Sequence, residues 1–163
     1  MRIVQAVSSF LVFKSANWSA DWAWGLPLIV LTVVIHVLGL GLISQRAVRV
    51  SSGISERRRS TVMFVVVVGV TTLLATSLHA IEASIWAAAY QLLGALPDAR
   101  SSVLYSLNAM TSYGHTNLDL EDRWQLMGAI EALNGWLLFG LTTAFLFAVI
   151  QKVWSLSTRP EHR

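Results

Sequence analysis

The sequence predicts an all-helical membrane protein with three transmembrane helices and one short re-entrant segment, and the distribution of charge is the main reason. Of the 163 residues, 55% are hydrophobic and only 13% are charged, against about 25% charged residues in a typical soluble domain. No Asp, Glu, Lys or Arg occurs in 25–45, 61–78 or 135–151. A hydrocarbon core of about 30 Å needs about 20 such residues in a helix, so each stretch has close to the length that crosses it.

The charges of the connecting segments predict the orientation of these helices. The link 46–60 contains five arginines and one acid, whereas the link 97–123 contains four acids and two arginines. Basic residues concentrate in cytoplasmic loops. We therefore expect 46–60 and the tail 157–163 in the cytoplasm, and the N-terminus outside, in the inner (plasma) membrane. The net charge of +3 then reflects topology, and we predict no nucleic-acid partner.

The N-terminal segment 1–24 and the first transmembrane helix 25–45 are predicted to be separate elements. Residues 1–14 place their apolar side chains on one helical face, which is typical of a helix lying flat on the membrane surface. The segment lacks a convincing small-residue cleavage site, so we favour this interpretation over a signal peptide.

A short segment between the second and third apolar stretches is predicted to re-enter the membrane. Helix-compatible sequence runs from 61 to 96, about 54 Å if unbroken, so this helix projects outward or breaks near Ser77, and Pro97 ends it. Residues 101–111 form a further helix, with Ser101 or Ser102 as its cap, too short to span a bilayer. Polar residues follow it, and such backbone at membrane depth must be buried in protein or line a wet cavity. An extracellular surface loop is the alternative.

This short segment and its flanking helices resemble potassium channels. The run from Ser106 to Asn117 reads Ser-Leu-Asn-Ala-Met-Thr-Ser-Tyr-Gly-His-Thr-Asn, and the pore helix and filter of that family read Ser-x-x-Thr-x-Thr-Thr-Val-Gly-Tyr-Gly-Asp. The segment 126–140, with its Glu131 and glycines, resembles the inner helix of bacterial two-helix channels, and 79–90 is similar to the outer helix of one bacterial branch. The resemblance covers 61–152. It implies a pore domain at 61–156, with outer helix 61–96, pore helix 101–111, filter 112–117 and inner helix 124–156.

The same resemblance implies that the filter departs from the family pattern. The implied filter residues are Thr111, Ser112, Tyr113, Gly114, His115, Thr116 and Asn117. Potassium filters replace the hydration shell of the ion with backbone carbonyls. Thr116 stands where the family has its second glycine, whose backbone angles a β-branched residue takes only under strain. His115 replaces a tyrosine and titrates near neutral pH. We therefore expect altered or reduced potassium selectivity, with potassium, sodium or both as permeant cations.

Four ionisable side chains within or beside the apolar stretches are candidates for function, because such groups are costly in lipid: His36, His79, Glu82 and Glu131. We predict that the last three form a network supporting the pore loop, with solvated interfacial side chains as the alternative. A metal site built from the same three is a weaker hypothesis, because His-x-x-Glu alone is a weak signal. We predict no cofactor and no metal beyond permeant cations. For His36 we expect a hydrogen bond between helices rather than a proton relay.

The third apolar helix offers Asn134, Gly135 and Gly140 as candidates for a hinge or for pore lining. Close helix packing and hydrogen bonding between helices are the alternatives.

The leading functional hypothesis is a pore-forming subunit of a homotetrameric cation channel, with the bilayer and its own copies as partners. A non-conducting membrane subunit or receptor that keeps the pore fold is the alternative. No nucleophile–base spacing or phosphate loop points to an enzyme. The tail after Trp154 is too short for a ligand-sensing domain, so we expect any gating to come from the membrane, pH, voltage or a separate regulatory protein.

Overall fold

The structure is a computed structural model that describes residues 2–52, 61–114 and 118–157. The described residues form four α-helices and no strand: α1 Arg2–Ser52, α2 Thr61–Leu92, α3 Ala99–Met110 and α4 Gln125–Ser157, with a 3-10 turn at Asp122–Trp124 before α4. Three segments are long and apolar enough to cross a membrane, namely Trp18–Ala47, Phe64–Leu92 and Asp122–Trp154. The all-helical class predicted from the sequence is therefore confirmed, and the three long apolar helices are consistent with the predicted multi-pass membrane protein.

The first helix differs from its prediction, because no break separates an interfacial segment from a transmembrane one. α1 continues from Arg2 to Ser52 with Pro27 inside it. A proline removes one backbone hydrogen bond from the preceding turn, and membrane helices tolerate this loss. The predicted link 46–60 is therefore helical up to Ser52, and its remaining residues lie outside the described part of the chain.

The second helix ends at a glycine rather than at the proline that the sequence predicted. α2 runs without a break past Ser77 and stops at Leu92. Gly94 then adopts a φ of 63°, and the amides of Gly94 and Ala95 bond to the carbonyls of Gln91 (3.1 Å) and Tyr90 (2.8 Å). This pair of bonds is a Schellman motif, in which a left-handed residue closes the last helical turn. Pro97 lies beyond the point where the helix has already ended.

The short helix α3 begins at an aspartate rather than at either predicted serine. Asp98 has extended backbone angles, and its carboxylate accepts from the Ser101 backbone N–H at 2.9 Å and from the Ser101 hydroxyl at 2.7 Å. These bonds satisfy donors that the first turn leaves free. The backbone N–H of Ser101 is also the main reason why the pKa of Asp98 lies below its usual value.

The contacts divide the chain into two units. The first unit comprises Met1–Thr32 and Ala83–Trp136, and the second comprises Val33–Glu82 and Leu137–Arg163. Aromatic residues of α2, α3 and the 3-10 turn before α4 dominate the core of the first unit, including Trp86, Tyr90, Tyr105 and Trp124. Leu40, Ala75 and Leu78 form a smaller buried cluster in the second unit.

Candidate functional site

Two glycines of α4 allow α3 to pack closely against it in the first unit. A Cβ on Gly128 would meet the Tyr105 ring, whose Cζ is 3.2 Å away. A Cβ on Gly135 would lie 2.7 Å from the Cα of Met110 and 2.8 Å from its carbonyl carbon. The two glycines are seven residues apart, two helical turns, and therefore share one face of α4. The sequence allowed either a hinge or close helix packing at Gly135, and the structure has close packing there. At Gly140 no atom lies near the position of an added Cβ.

The Glu131 carboxyl lies between α2, α3 and α4 in the same unit. The Tyr90 hydroxyl donates to one of its oxygens at 2.6 Å, and the Ser106 hydroxyl contacts the other. The Ser106 hydroxyl also donates to the backbone carbonyl of Ala83 at 2.7 Å. Glu131, Tyr90 and Ser106 are all fully buried.

Counting hydrogens indicates how this cluster is satisfied. Ser106 has a single hydroxyl hydrogen. Its oxygen is 2.7 Å from the Ala83 carbonyl oxygen, which has no hydrogen of its own, so the hydrogen of that contact comes from Ser106. The bond between Ser106 and Glu131 is then complete when the carboxyl has the hydrogen and donates it to the Ser106 oxygen. Tyr90 donates to the other carboxyl oxygen, so a neutral Glu131 leaves no group of the cluster without a partner.

The implied filter begins at the end of α3, and part of it can be described. The amides of Ser112 and Tyr113 bond to the carbonyls of Ala109 and Asn108, each at 3.0 Å. Ser112 adopts a φ of 53° and Gly114 a φ of 91°, and the Trp136 indole N–H donates to the Ser112 hydroxyl at 2.9 Å. Residues Thr111 to Gly114 are exposed in the single chain. His115, Thr116 and Asn117 lie outside the described residues.

Asn134 joins α4 to α1 in the first unit. Its side-chain amide donates to the Thr32 hydroxyl at 2.9 Å, and that hydroxyl donates in turn to the Leu28 carbonyl at 2.8 Å. Asn134 and Thr32 are fully buried within one chain. The sequence allowed Asn134 either to line a pore or to form a hydrogen bond between helices, and this contact is the second of these.

A further buried carboxylate, Asp21 of α1, was missed by the sequence reasoning. It is almost fully buried and accepts the backbone N–H of Met127, in the first turn of α4. A negative charge is favourable at the N-terminal end of a helix. One signal was available, because Asp21 is the only acidic residue among the first 55.

In the second unit, two imidazoles lie between a carboxylate and a hydroxyl. His36 Nδ1 is 2.8 Å from Glu82 Oε1, and His79 Nδ1 is 3.4 Å from Glu82 Oε2. On the opposite sides of the rings, the Thr142 hydroxyl is 3.0 Å from His79 Nε2 and 3.0 Å from His36 Nε2. The ring centroids are 5.0 Å apart. His36 and Glu82 are fully buried, and 28% of the His79 side chain is exposed.

The predicted supporting residues thus have partners that the sequence did not assign. His79 and Glu82 lie together, as predicted, but with His36 and Thr142, while Glu131 has Tyr90 and Ser106 as its partners. The hydroxyl residues of both clusters were missed, because Ser, Thr and Tyr are common in membrane helices and give no distinct pattern.

Comparison with protein-family models, with curated proteins and with solved structures finds no match to this chain.

Proposed function

We propose that the chain is the pore-forming subunit of a homotetrameric cation channel, in which each copy contributes the segment after α3 to a central pore. The observation that supports this most strongly is the contact of Met110 with Gly135. Gly135 lies 13 residues after the start of the apolar segment Asp122–Trp154, which is about 20 Å along a helix. The twelve residues of α3 cover a similar distance, about 18 Å.

An end of α3 at that depth favours assembly of several copies. Residues Thr111 to Gly114 are exposed in the single chain, and lipid cannot satisfy polar groups of such a non-helical segment, so it must be covered by protein or must line a wet cavity. A symmetric ring of copies around a central axis provides both conditions. Exposed apolar side chains of α3, namely Val103, Leu104 and Leu107, then lie against neighbouring copies or lipid.

The selectivity that we propose follows from the filter sequence. Thr116 and His115 replace the residues that shape the outer half of a potassium filter in the family that the chain resembles. Thr116 opposes the backbone angles that a glycine allows, so the chain discriminates weakly between potassium and sodium. Restoring the family pattern by Ser112→Thr, Tyr113→Val, His115→Tyr and Thr116→Gly should raise potassium preference.

A non-conducting subunit is the second candidate, and the end of α3 favours it. The backbone N–H groups of Ser112 and Tyr113 donate to carbonyls in the last turn of α3, and Ser112 has a left-handed backbone conformation. A potassium-type filter needs successive carbonyls directed at one axis, whereas these residues form a helix cap.

Ion flux through purified full-length chain in liposomes, under potassium and sodium gradients, tests the proposal. The chain has no cysteine, so a single Tyr113→Cys variant allows the loop to be labelled specifically. We expect a charged thiol reagent to block flux through Tyr113→Cys. Leu92→Cys is the matched control, because Leu92 is 85% exposed and Tyr113 is 82% exposed, and labelling at Leu92 should leave flux unchanged.

Two results would count against the channel. Crosslinking in mild detergent that gives only monomers would exclude the oligomer, and folded tetramers without flux of either ion would favour the non-conducting subunit.

A further inference from the structure

We propose that His36, His79 and Glu82 form a binding site for a divalent transition-metal ion of the zinc class. One ligand atom from each residue lies within 4.8 Å of the others, and all three residues belong to the second unit. Two imidazoles and one carboxylate are a ligand set that zinc sites use, whereas permeant alkali ions prefer oxygen ligands. The inference does not depend on whether the chain conducts ions.

The spacing of the ligand atoms fits such an ion. Two ligands at about 2.0–2.1 Å from a tetrahedral zinc ion lie about 3.4 Å apart, and His79 Nδ1 is 3.4 Å from Glu82 Oε2. His36 Nδ1 is 2.8 Å from the other oxygen of the same carboxylate, Oε1. No two of the three ligand atoms are more than 4.8 Å apart, so tetrahedral spacing requires them to approach one another by at most about 1.4 Å. Glu82 Oε2 is fully buried, and apart from the 3.4 Å contact with His79 Nδ1 it has no polar partner among the described residues, so it has lone pairs available to bind an ion.

Thr142 is placed to orient both imidazoles. A histidine that binds a metal through one ring nitrogen usually donates the N–H of the other to a nearby acceptor. The Thr142 oxygen is 3.0 Å from both Nε2 atoms, and a hydroxyl oxygen has two lone pairs. When both Nδ1 atoms bind the ion, Thr142 can therefore accept both Nε2 hydrogens. One residue of α4 thus fixes the tautomer of two ligands, one on α1 and one on α2.

Charge and access are also compatible with an ion at this place. Three protein ligands leave a fourth position for water, and zinc lowers the pKa of bound water to about 7. An ion with one carboxylate and one hydroxide is neutral, which lowers the cost of placing it in an apolar segment. His79 is partly exposed while His36 and Glu82 are fully buried, so the ion reaches the site from the side of His79.

Direct metal binding tests this proposal with the purified, untagged full chain in detergent. After removal of metal by a chelator, the protein is titrated with Co²⁺, whose visible absorption reports coordination, and then with Zn²⁺ in competition. We expect one Co²⁺ per chain, displaced by Zn²⁺. Bound Zn²⁺ should also raise the thermal unfolding temperature, because a ligand of the native state stabilises it.

Variants assign the ligands. His79→Gln and Glu82→Gln should abolish the Co²⁺ absorption and the thermal shift, while circular dichroism verifies that each variant is folded. Thr142→Val removes only the acceptor of the two N–H groups, so affinity should fall about 10- to 100-fold with the stoichiometry retained. His115→Gln and His162→Gln remove the other two of the four histidines and should bind like the unmodified chain.

Two results would overturn the proposal. One is a folded unmodified chain that binds no stoichiometric Co²⁺ or Zn²⁺ at micromolar concentration. The other is binding that survives both His79→Gln and Glu82→Gln but is lost in His115→Gln or His162→Gln, which would assign the ion to another place.

Discussion

Substitution of Glu131 tests how α2, α3 and α4 are held together in the first unit. In Glu131→Ala the Tyr90 hydroxyl loses its acceptor, and Ser106 keeps only its bond to the Ala83 carbonyl. A buried hydroxyl without a partner costs about 1–3 kcal/mol, and the space left by the side chain adds a cavity term. We therefore expect a loss of about 2–5 kcal/mol, or about 4–20 °C in unfolding temperature for a chain of this length.

Glu131→Gln is the matched control, because an amide reproduces the neutral carboxyl. Its N–H₂ donates to the Ser106 oxygen and its carbonyl accepts from Tyr90, so both bonds are kept. One amide hydrogen has no partner, so the expected loss is about 1–3 kcal/mol, and it should be smaller than in Glu131→Ala because no cavity is left. Tyr90→Phe removes a single hydrogen bond and should cost about 1 kcal/mol.

The measurement is the fraction of full-length chain that elutes as the folded species after heating in detergent. A Glu131→Ala variant as stable as the unmodified chain would show that the carboxyl is not part of the packing. Equal losses in Glu131→Ala and Glu131→Gln would refute the hydrogen count, because they would mean that the ionised carboxylate, and not the neutral acid, satisfies the cluster.

Three further predictions follow from backbone contacts and caps. Gly135→Ala should destabilise the chain by about 1–3 kcal/mol, because the added Cβ would lie 2.7 Å from Met110 Cα. Gly140→Ala has open space around the added Cβ and should instead stabilise the chain by up to about 1 kcal/mol through its higher helix propensity. Thermal unfolding of the two variants beside the unmodified chain tests this difference in sign. Gly94→Ala should lower the stability of the chain by about 1–2 kcal/mol, because Gly94 has a φ of 63°. Gly69→Ala lies within α2 with open space around the added Cβ, so it should raise the unfolding temperature in the same assay. Asp98 has a pKa below its usual 3.8, so its capping contribution is present above that value and is lost as pH falls through the lowered pKa. Hydrogen exchange in the first turn of α3, corrected for intrinsic rates, should therefore increase at acidic pH in the unmodified chain but not in Asp98→Asn, and an equal increase in both would exclude Asp98 as the cause.

The apolar segments were determined by the sequence alone, because hydrophobic length is a local property. A stretch of about 20 residues without charge can satisfy its backbone in lipid only as a helix. Each of the three apolar segments of the structure overlaps one charge-free stretch and extends beyond it. The short helix before the third stretch was also predictable, since its apolar spacing lies within one segment, although its cap was assigned to the wrong residue.

Helix ends were less determined, because several nearby residues can each end or begin a helix. Gly94 and Pro97 are both helix breakers within four positions of one another, and the left-handed φ at Gly94 decided between them. Asp98, Ser101 and Ser102 can all cap a helix, and only the path of the backbone before α3 selected Asp98. α1 likewise continues through Pro27, and a proline by itself does not determine whether the helix around it continues or ends.

The side-chain clusters were decided by tertiary structure, because their members are distant in sequence. His36 is 46 residues from Glu82 and 106 residues from Thr142, and Asn134 is 102 residues from Thr32. Composition identified the histidines and carboxylates as costly in lipid, so each needed a partner. The rotation of each helix about its axis decided which hydroxyl or imidazole became that partner. The hydrophobic pattern does not determine this rotation, because the same pattern is compatible with several rotations.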